Sequence, residues 1–400
     1  MRLISSDREI ESERLKVDCA RLYGRPAADV QLIHAPYRIC PLGAHIDHQL
    51  GPVSAVAVNQ GIDLAFVTNP SGRIDISSDG YPGAVSFALS QPPLRMNDWA
   101  DYARGAVMAL KETHELTQGV SLLVRGQLSE AGISSSAAVG LGYLLAIAVA
   151  NHVSLQDADL IELDRLIENR FLGLKNGVLD QSAVTLAKRD QLSIIDCRDL
   201  NCRHVAQADN FVFLAVYSGL REALVNSDKF NNRVEECLQA GALLANHARD
   251  TDLSCCPLGE LTADEWQTHG AALPADLRRR AEHYFSESAR VLAGAVAWEK
   301  SDRAEFGALM QASGLSSIRN YETGSPEMIG LYEVLNECDG VAGARFSGAG
   351  FRGCAVALVD PDRAADIAEE VESRYLRDFP RFRGLMWAFV SGACDGLALR

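Results

Sequence analysis

The sequence predicts a protein of mixed strands and helices, divided into two or three domains. Three observations carry that expectation. A chain of 400 residues, 48% apolar and 7% aromatic, is long enough to bury more than one core. Its N-terminal half reads as strands punctuated by glycine-rich turns, and its C-terminal half carries more helix. Between them the alternating run QLSIID at 191–196 reads as a strand, and the polar stretch CRDLNCRHVAQADN after it is the best linker candidate. The division is placed at residues 1–200 and 201–400.

Taken in order, the first segment of note is the loop APYRICPLGAHIDHQLG at 35–51, which gathers Arg38, His45, Asp47 and His48 among turn formers. Next, GQLSEAGISSSAAVGLGYLLAIAVA at 126–150 places small residues and three serines before a long apolar helix. Small residues let a backbone approach phosphate closely, and the positive end of the helix would face it. The same segment also reads as a buried Ala-rich helix with Ser134 or Ser135 as a plain N-cap. No Walker A lysine motif occurs anywhere.

The segment IENRFLGLKNGVLDQSAV at 167–184 holds two carboxylates. Glu168, on a helix, reads by itself as a solvated surface charge. Asp180 opens DQSAVTLAKR and could cap a helix or act as a base. Its company, the KNG turn before it and Arg38 in a separate loop, suits phosphoryl transfer, which needs a carboxylate at the attacking hydroxyl and a cation near the moving charge. From Phe211 an apolar strand, FVFLAVYSG, begins, and 247–272 reads as a loop or short-helix excursion. LPADLRRRAEHYFSESARVLAGAVAWEK has helical spacing, with Leu277, Ala281, Tyr284 and Phe285 available to one face. Finally GARFSGAGFRGCAVALV at 343–359 is a glycine-rich turn before a buried strand, readable as a plain hairpin.

Composition narrows the partners. Against 38 Lys and Arg stand 53 Asp and Glu, a net charge of −15, which argues against nucleic acid or an anionic membrane surface. The start MRLISSDREIESERLK is too charged for a secretory leader, and no apolar run reaches membrane-spanning length. A cytoplasmic location is expected. The ten cysteines lack a CxxC pair and read as reduced, mostly buried thiols.

Together, in this order and spacing, the segments at 35–51, 126–150, 167–184 and 343–359 resemble the GHMP kinases, the family of galactokinase, homoserine kinase and mevalonate kinase. Arg38 to His48, RICPLGAHIDH, runs in register with the galactokinase motif Arg-Val-Asn-Leu-Ile-Gly-Glu-His-Thr-Asp-Tyr. NDWADYARGAV near residue 97 and LMQASGLSSIRNYETGSPE extend the likeness over most of the chain. The resemblance implies an α+β fold of two domains, with the active site in the cleft between them. It implies ATP and Mg2+ as cofactors and a small sugar as substrate, with no oligomeric state specified. Asp180 would be the catalytic base and Arg38 its orienting cation. Gly132, Ser134, Ser135 and Ser136 would hold nucleotide phosphates, and Ser136 and Glu168 the magnesium. His45, Asp47 and the backbone of Gly177 would contact sugar hydroxyls. His45, Asp47 and His48 could also be read as a transition-metal site.

Departures from the family pattern point to the substrate. Ala44 stands where galactokinases carry a glutamate that bonds the hydroxyl on carbon 6. A carboxylate on carbon 6 would be repelled by that glutamate at about 4 Å by on the order of 4 kcal/mol at an effective dielectric near 20. Removing it admits a sugar acid, and galacturonate is the simplest galactose-shaped one. The loop, with SGLR, GLKNG and ARFSGAGFRGC, looks like galacturonokinases within the family. Lys175 in the KNG turn is the candidate cation for the substrate carboxylate. Phe230 stands where galactokinases place a tyrosine on the sugar, and Glu130 where a glycine is usual in the serine loop. The expected reaction is phosphorylation of the anomeric hydroxyl of D-galacturonate. A kinase for galactose or a 6-deoxy galactose, and a non-catalytic galactokinase-like sugar sensor, are the alternatives.

Overall fold

The computed structural model describes residues 2–3, 8–126, 133–207, 211–220 and 227–400. Gly132, Glu130 and the arginine of SGLR lie outside the described residues. In chain order the elements are β1 (Arg2–Leu3), α1 (Arg8–Tyr23), β2 (Gln31–Ile39), β3 (Pro52–Asn69), β4 (Arg73–Ser78), β5 (Tyr81–Ala88), α2 (Asp101–Lys111) and β6 (Gly119–Gly126). Then come α3 (Ser135–Ala150), α4 (Asp157–Leu166), α5 (Leu179–Leu186), β7 (Gln191–Asp196), β8 (Cys202–Ala206) and β9 (Val212–Tyr217). The remainder is α6 (Ser227–Arg249), α7 (Ala263–His269), α8 (Ala275–Glu299), α9 (Arg303–Arg319), α10 (Pro326–Asn336), β10 (Val341–Phe346), β11 (Cys354–Val359), α11 (Ala364–Asp378), β12 (Trp387–Ser391) and β13 (Ala398–Leu399). The α+β class inferred from the sequence is the one observed.

Two sheets organise these elements. The larger runs β13-β2-β3-β6-β4-β5, with β7 and β8 attached through the first residues of the long β3; the smaller runs β1-β12-β9-β11-β10. Most neighbours are antiparallel, and β4–β6 and β1–β12 are parallel. The short end strands cross over: β1 joins the sheet of the C-terminal half, and β13 pairs with β2. The polar stretch expected to be a linker instead contains β8, because its Val205 is buried opposite Leu192 and closes a hairpin with β7. Residues 200 and 201 fall in the turn of that hairpin.

Apolar helices α2, α3 and α4 cover the larger sheet, and the core continues into β9, β11, α8 and α9. Trp298 is fully buried against Phe211 at a ring separation of 4.1 Å; truncating such a ring costs about 3–5 kcal/mol. On α8, Leu277, Ala281 and Tyr284 are buried, and half-buried Phe285 stacks on Trp266. Residues 247–272 hold the end of α6, two short 3-10 turns and α7, which starts with a Thr262–Glu265 capping box. All ten cysteines are free thiols; eight are buried, Cys202 is half-buried and Cys255 exposed. Among the described residues no helix is long and apolar enough to cross a membrane.

Candidate active site

Arg38 occupies the next-to-last position of β2 and is 4% exposed. Its Nε and Nη2 donate to Asp180 Oδ1 at 2.7 and 2.6 Å, and its Nη1 donates to the Ser347 carbonyl at 2.7 Å. One guanidinium thus ties β2 to the start of α5 and to the loop between β10 and β11. Three charge-assisted bonds saturate this face, which a lysine could not do. The other carboxylate oxygen of Asp180 accepts from Ser134 Oγ at 2.5 Å. Asp180 therefore spends its side chain on Arg38 and Ser134, and Val178 is the capping residue of α5.

Ser134 precedes α3 in a left-handed conformation, φ 63°, and its hydroxyl makes no cap bond. The plain N-cap reading fails because that hydroxyl is turned to Asp180. Ser135 and Ser136 form the first turn of α3, with Ser136 approaching both the Glu168 carboxyl and the Tyr102 hydroxyl. The Arg38 amide donates to the carbonyl of Ile133, just before these serines.

Glu168 is 1% exposed, which corrects the expectation of a solvated surface charge. Glu168 continues, into the π-helical turn Ile167–Phe171, the face of α4 that already buries Asp164 one turn earlier. Its Oε2 accepts from Asn176 and, at 3.2 Å, from Gln181. Burial, with Asp180 nearby, pushes its carboxyl up to about 7. Its direct partners are amides and a hydroxyl, and among the described residues no Lys or Arg forms an ion pair with it, Arg38 acting only from a distance. The half-buried Ser136 hydroxyl beside the buried Glu168 carboxyl, a pair of hard oxygens, fits a divalent cation that takes its other ligands from water and phosphate. Among the described residues no group of three His, Cys, Asp or Glu is arranged to hold a metal alone, so His45, Asp47 and His48 do not form such a site.

The 40–51 loop is clamped from below by α8. Gly43 donates to Glu287 Oε1 at 2.8 Å, and the Ala44 carbonyl accepts from His283 Nε2 at 3.0 Å. Since the carbonyl can only accept, His283 carries its proton on Nε2, and Ser316 Oγ donates to its Nδ1 at 3.0 Å. Burial holds His283 down to about 4 and His48 down to about 3. Glu287 is itself fully buried and is held low despite burial by Arg345 and Arg290. Gly43 and His45 adopt left-handed conformations, φ 95° and 65°. His45 is buried, stacks on Tyr321 at 4.5 Å, and has no partner for Nε2 among the described residues. Burial and the neighbouring His283 and Arg345 push it well below the usual histidine range.

Asp47 and Gly177 meet: the Leu179 amide donates to Asp47 Oδ2 at 3.4 Å, and a Cβ at Gly177 would lie 2.5 Å from the Asp47 carbonyl carbon. Burial and Asp180 raise the Asp47 carboxyl to about 6. Phe230 packs edge-on against His48, whose Nε2 pairs with Tyr321 Oη at 3.0 Å. Lys175 is half-exposed and paired with Glu235 at 2.5 Å, and its amide donates to Asn231 Oδ1 at 3.1 Å. Ala44 is 4% exposed within an apolar cluster that includes Leu179. The structure thus brings Arg38, Asp180, Ser134, Ser136 and Glu168 together, with Asp47, His45, Gly177 and Phe230 grouped on an adjoining side. Sequence reading missed His283, Glu287, Tyr321, Asn176 and Ser347. The spacing of His283 and Glu287 by four residues on α8, on the same face as buried Tyr284, was the available signal.

Sequence profiles described as "GHMP kinases N terminal domain" and "GHMP kinases C terminal" match residues 101–188 and 294–377. A galacturonokinase of Arabidopsis thaliana is 41% identical, covering 94% of each chain. A galactokinase of Staphylococcus carnosus is 34% identical over 85% of this chain and 88% of its own. Among solved structures, the galactose complex of Lactococcus lactis galactokinase superposes with a TM-score of 0.88, at 26% identity, covering 96% of this chain and 98% of its own. The chain belongs to the GHMP kinase family.

Proposed function

We propose that this chain is an ATP- and magnesium-dependent sugar kinase that phosphorylates the anomeric hydroxyl of D-galacturonate, giving galacturonate 1-phosphate and ADP. The observation that carries it is Asp180, one oxygen clamped by Arg38 and the other turned to a serine at the N-terminus of α3. Asp180 takes the proton of the attacking hydroxyl through the oxygen that faces Ser134. Arg38 fixes the carboxylate and offers positive charge to the developing transition state. Ser134, Ser135 and the amides at the start of α3 hold phosphate oxygens, as do the glycines before them, Gly132 included. Ser136 and Glu168 would hold magnesium, which when bound neutralises phosphate charge. Asp47, His45 and the Gly177 backbone bind sugar hydroxyls, and Phe230 lines the same side.

Two features favour a sugar acid over galactose. The buried Ala44 presents no carboxylate, so a charged carbon 6 meets no repulsion there, and a galacturonokinase is 41% identical over nearly the full length. Lys175 is the proposed partner of the substrate carboxylate. It must exchange Glu235 for the sugar, a small step because exposed pairs are worth about 0–1 kcal/mol. Free thiols throughout the chain suit a cytoplasmic, reducing location. We keep the division at residues 1–200 and 201–400 as the approximate boundary of the two family domains: β2 to β8 share one sheet and β9 to β12 the other, so the β7–β8 hairpin that straddles it belongs with the first.

A panel of galacturonate, galactose and a 6-deoxy galactose, run against wild type and Ala44→Glu, tests the reading. Wild type should turn over galacturonate with the highest kcat/KM, and the variant should lose that preference by a factor of a hundred or more (about 3 kcal/mol or more). Equal use of galacturonate by both proteins refutes the electrostatic argument, and absence of any sugar-dependent ATP consumption refutes the kinase.

A further inference from the structure

Asp164, on α4, is fully buried, and neither of its carboxyl oxygens has a hydrogen-bond partner among the described residues. Leaving such a group unsatisfied costs on the order of 1–3 kcal/mol, so its retention asks for a use. Its surroundings suggest one. Ser136 and Gly140 are one turn apart on α3, and Asp164 and Glu168 are one turn apart on α4 and the π turn that extends it. The two helices therefore face each other as a ladder, Ser136 with Glu168 on one rung and Gly140 with Asp164 on the next. Asp164 Oδ1 sits 2.0 Å from where a Cβ of residue 140 would be, so only glycine admits the carboxyl there. Tyr102 spans both rungs: its ring edge lies 3.5 Å from the same point, and its hydroxyl approaches Ser136.

We propose that Asp164 is a positioning residue for the divalent cation, accepting hydrogen bonds from water bound to a cation that Ser136 and Glu168 would ligate. This rests on the cation site proposed above. Burial and the charges of Glu168 and Asp180 raise the Asp164 carboxyl well above its usual range, and a cation held by Ser136 and Glu168 would oppose that.

The test is Mn2+ binding, followed by electron paramagnetic resonance of free Mn2+ with a non-hydrolysable ATP analogue present, on wild type, Asp164→Asn, Gly140→Ala and Glu168→Gln, with thermal unfolding of each metal-free protein. Asp164→Asn should bind Mn2+ at least tenfold more weakly, the range expected for outer-shell partners, while its Tm without metal stays level or rises. Gly140→Ala, which displaces the carboxyl, should weaken Mn2+ in the same direction. Wild-type affinity in Asp164→Asn alongside weakened Glu168→Gln overturns the role of Asp164 and leaves the cation site standing. Wild-type affinity in Glu168→Gln overturns the cation site, and the role of Asp164 with it. A lowered Tm with unchanged affinity in Asp164→Asn marks a purely structural residue and also overturns the proposal.

Discussion

Replacing Arg38 with lysine keeps a positive charge at the same place and removes the geometry. The guanidinium makes three bonds of 2.6–2.7 Å, two to Asp180 Oδ1 and one to the Ser347 carbonyl. A lysine ammonium on this buried stem can keep one of them. Two lost bonds to charged groups, at about 1.5–3 kcal/mol each, amount to about 3–6 kcal/mol of local interaction. The Asp180 side chain is 23% exposed and recovers part of this from water, so the expected fall in stability is about 2–3 kcal/mol. Turnover should fall further than stability suggests, because Asp180, the proposed base, is no longer held in one orientation. Removal of one preorganised charge-stabilising contact costs about 100- to 1,000-fold in kcat, and the same range is expected here. The assay is steady-state phosphorylation of galacturonate by Arg38→Lys at a temperature well below its measured Tm, with nucleotide affinity measured separately. Reduced kcat with near-normal nucleotide affinity is the predicted pattern. A kcat within twofold of wild type would refute the claim that charge at this position acts through its fixed geometry.

Other consequences follow from the same contacts. Asp180→Asn should abolish nearly all turnover while nucleotide still binds, measured by turnover and by titration with an ATP analogue; ordinary turnover removes Asp180 from the role of base. Gly177→Ala puts a methyl group 2.5 Å from the backbone of Asp47 and His48, so the sugar KM should rise and stability should fall by about 1–3 kcal/mol; an unchanged KM would show that the contact is not used by substrate. His283, buried and neutral, is held at about 4 against an ordinary 6.5, so the unfolded chain takes up its proton first as pH falls. Its contribution is fully present above pH 6.5 and is lost towards pH 4, about 3 kcal/mol at about 1.4 kcal/mol per unit. Asp47, raised to about 6, has the opposite slope in part of that window, so the readout is the difference between wild type and His283→Gln in denaturant unfolding at several pH values. The variant should show a flatter acid limb, and parallel curves would refute the assignment.

Much of the chain was legible where local pattern and chemistry agree. QLSIID is β7 to the residue, the serine segment does open an apolar helix, and the glycine turn at 348–350 does join two strands. Arg38 and Asp180 were readable as partners because phosphoryl transfer asks for both, and they lie in contact. The linker reading failed because polar residues hid a single inward valine, Val205, that suffices to pair β8 with β7. Glu168 looked solvated because its i−4 neighbour is an aspartate, but Asp164 is itself fully buried, so the shared face points inward, which residue type alone does not reveal.

By itself the sequence determined strands such as β7, β9 and β11, helices such as α3 and α8, and the residue types at the site, since these depend on periodicity, capping and chemistry within short reach. It also placed an alanine at position 44. The tertiary structure decided which polar groups are buried together. His283 and Glu287 clamp the 40–51 loop from a helix about 240 residues away, Ser134 turns from cap to partner of Asp180, and Lys175 pairs with Glu235. Such choices rest on desolvation and on bonds between segments distant in the chain, and neither is written in any one segment's pattern.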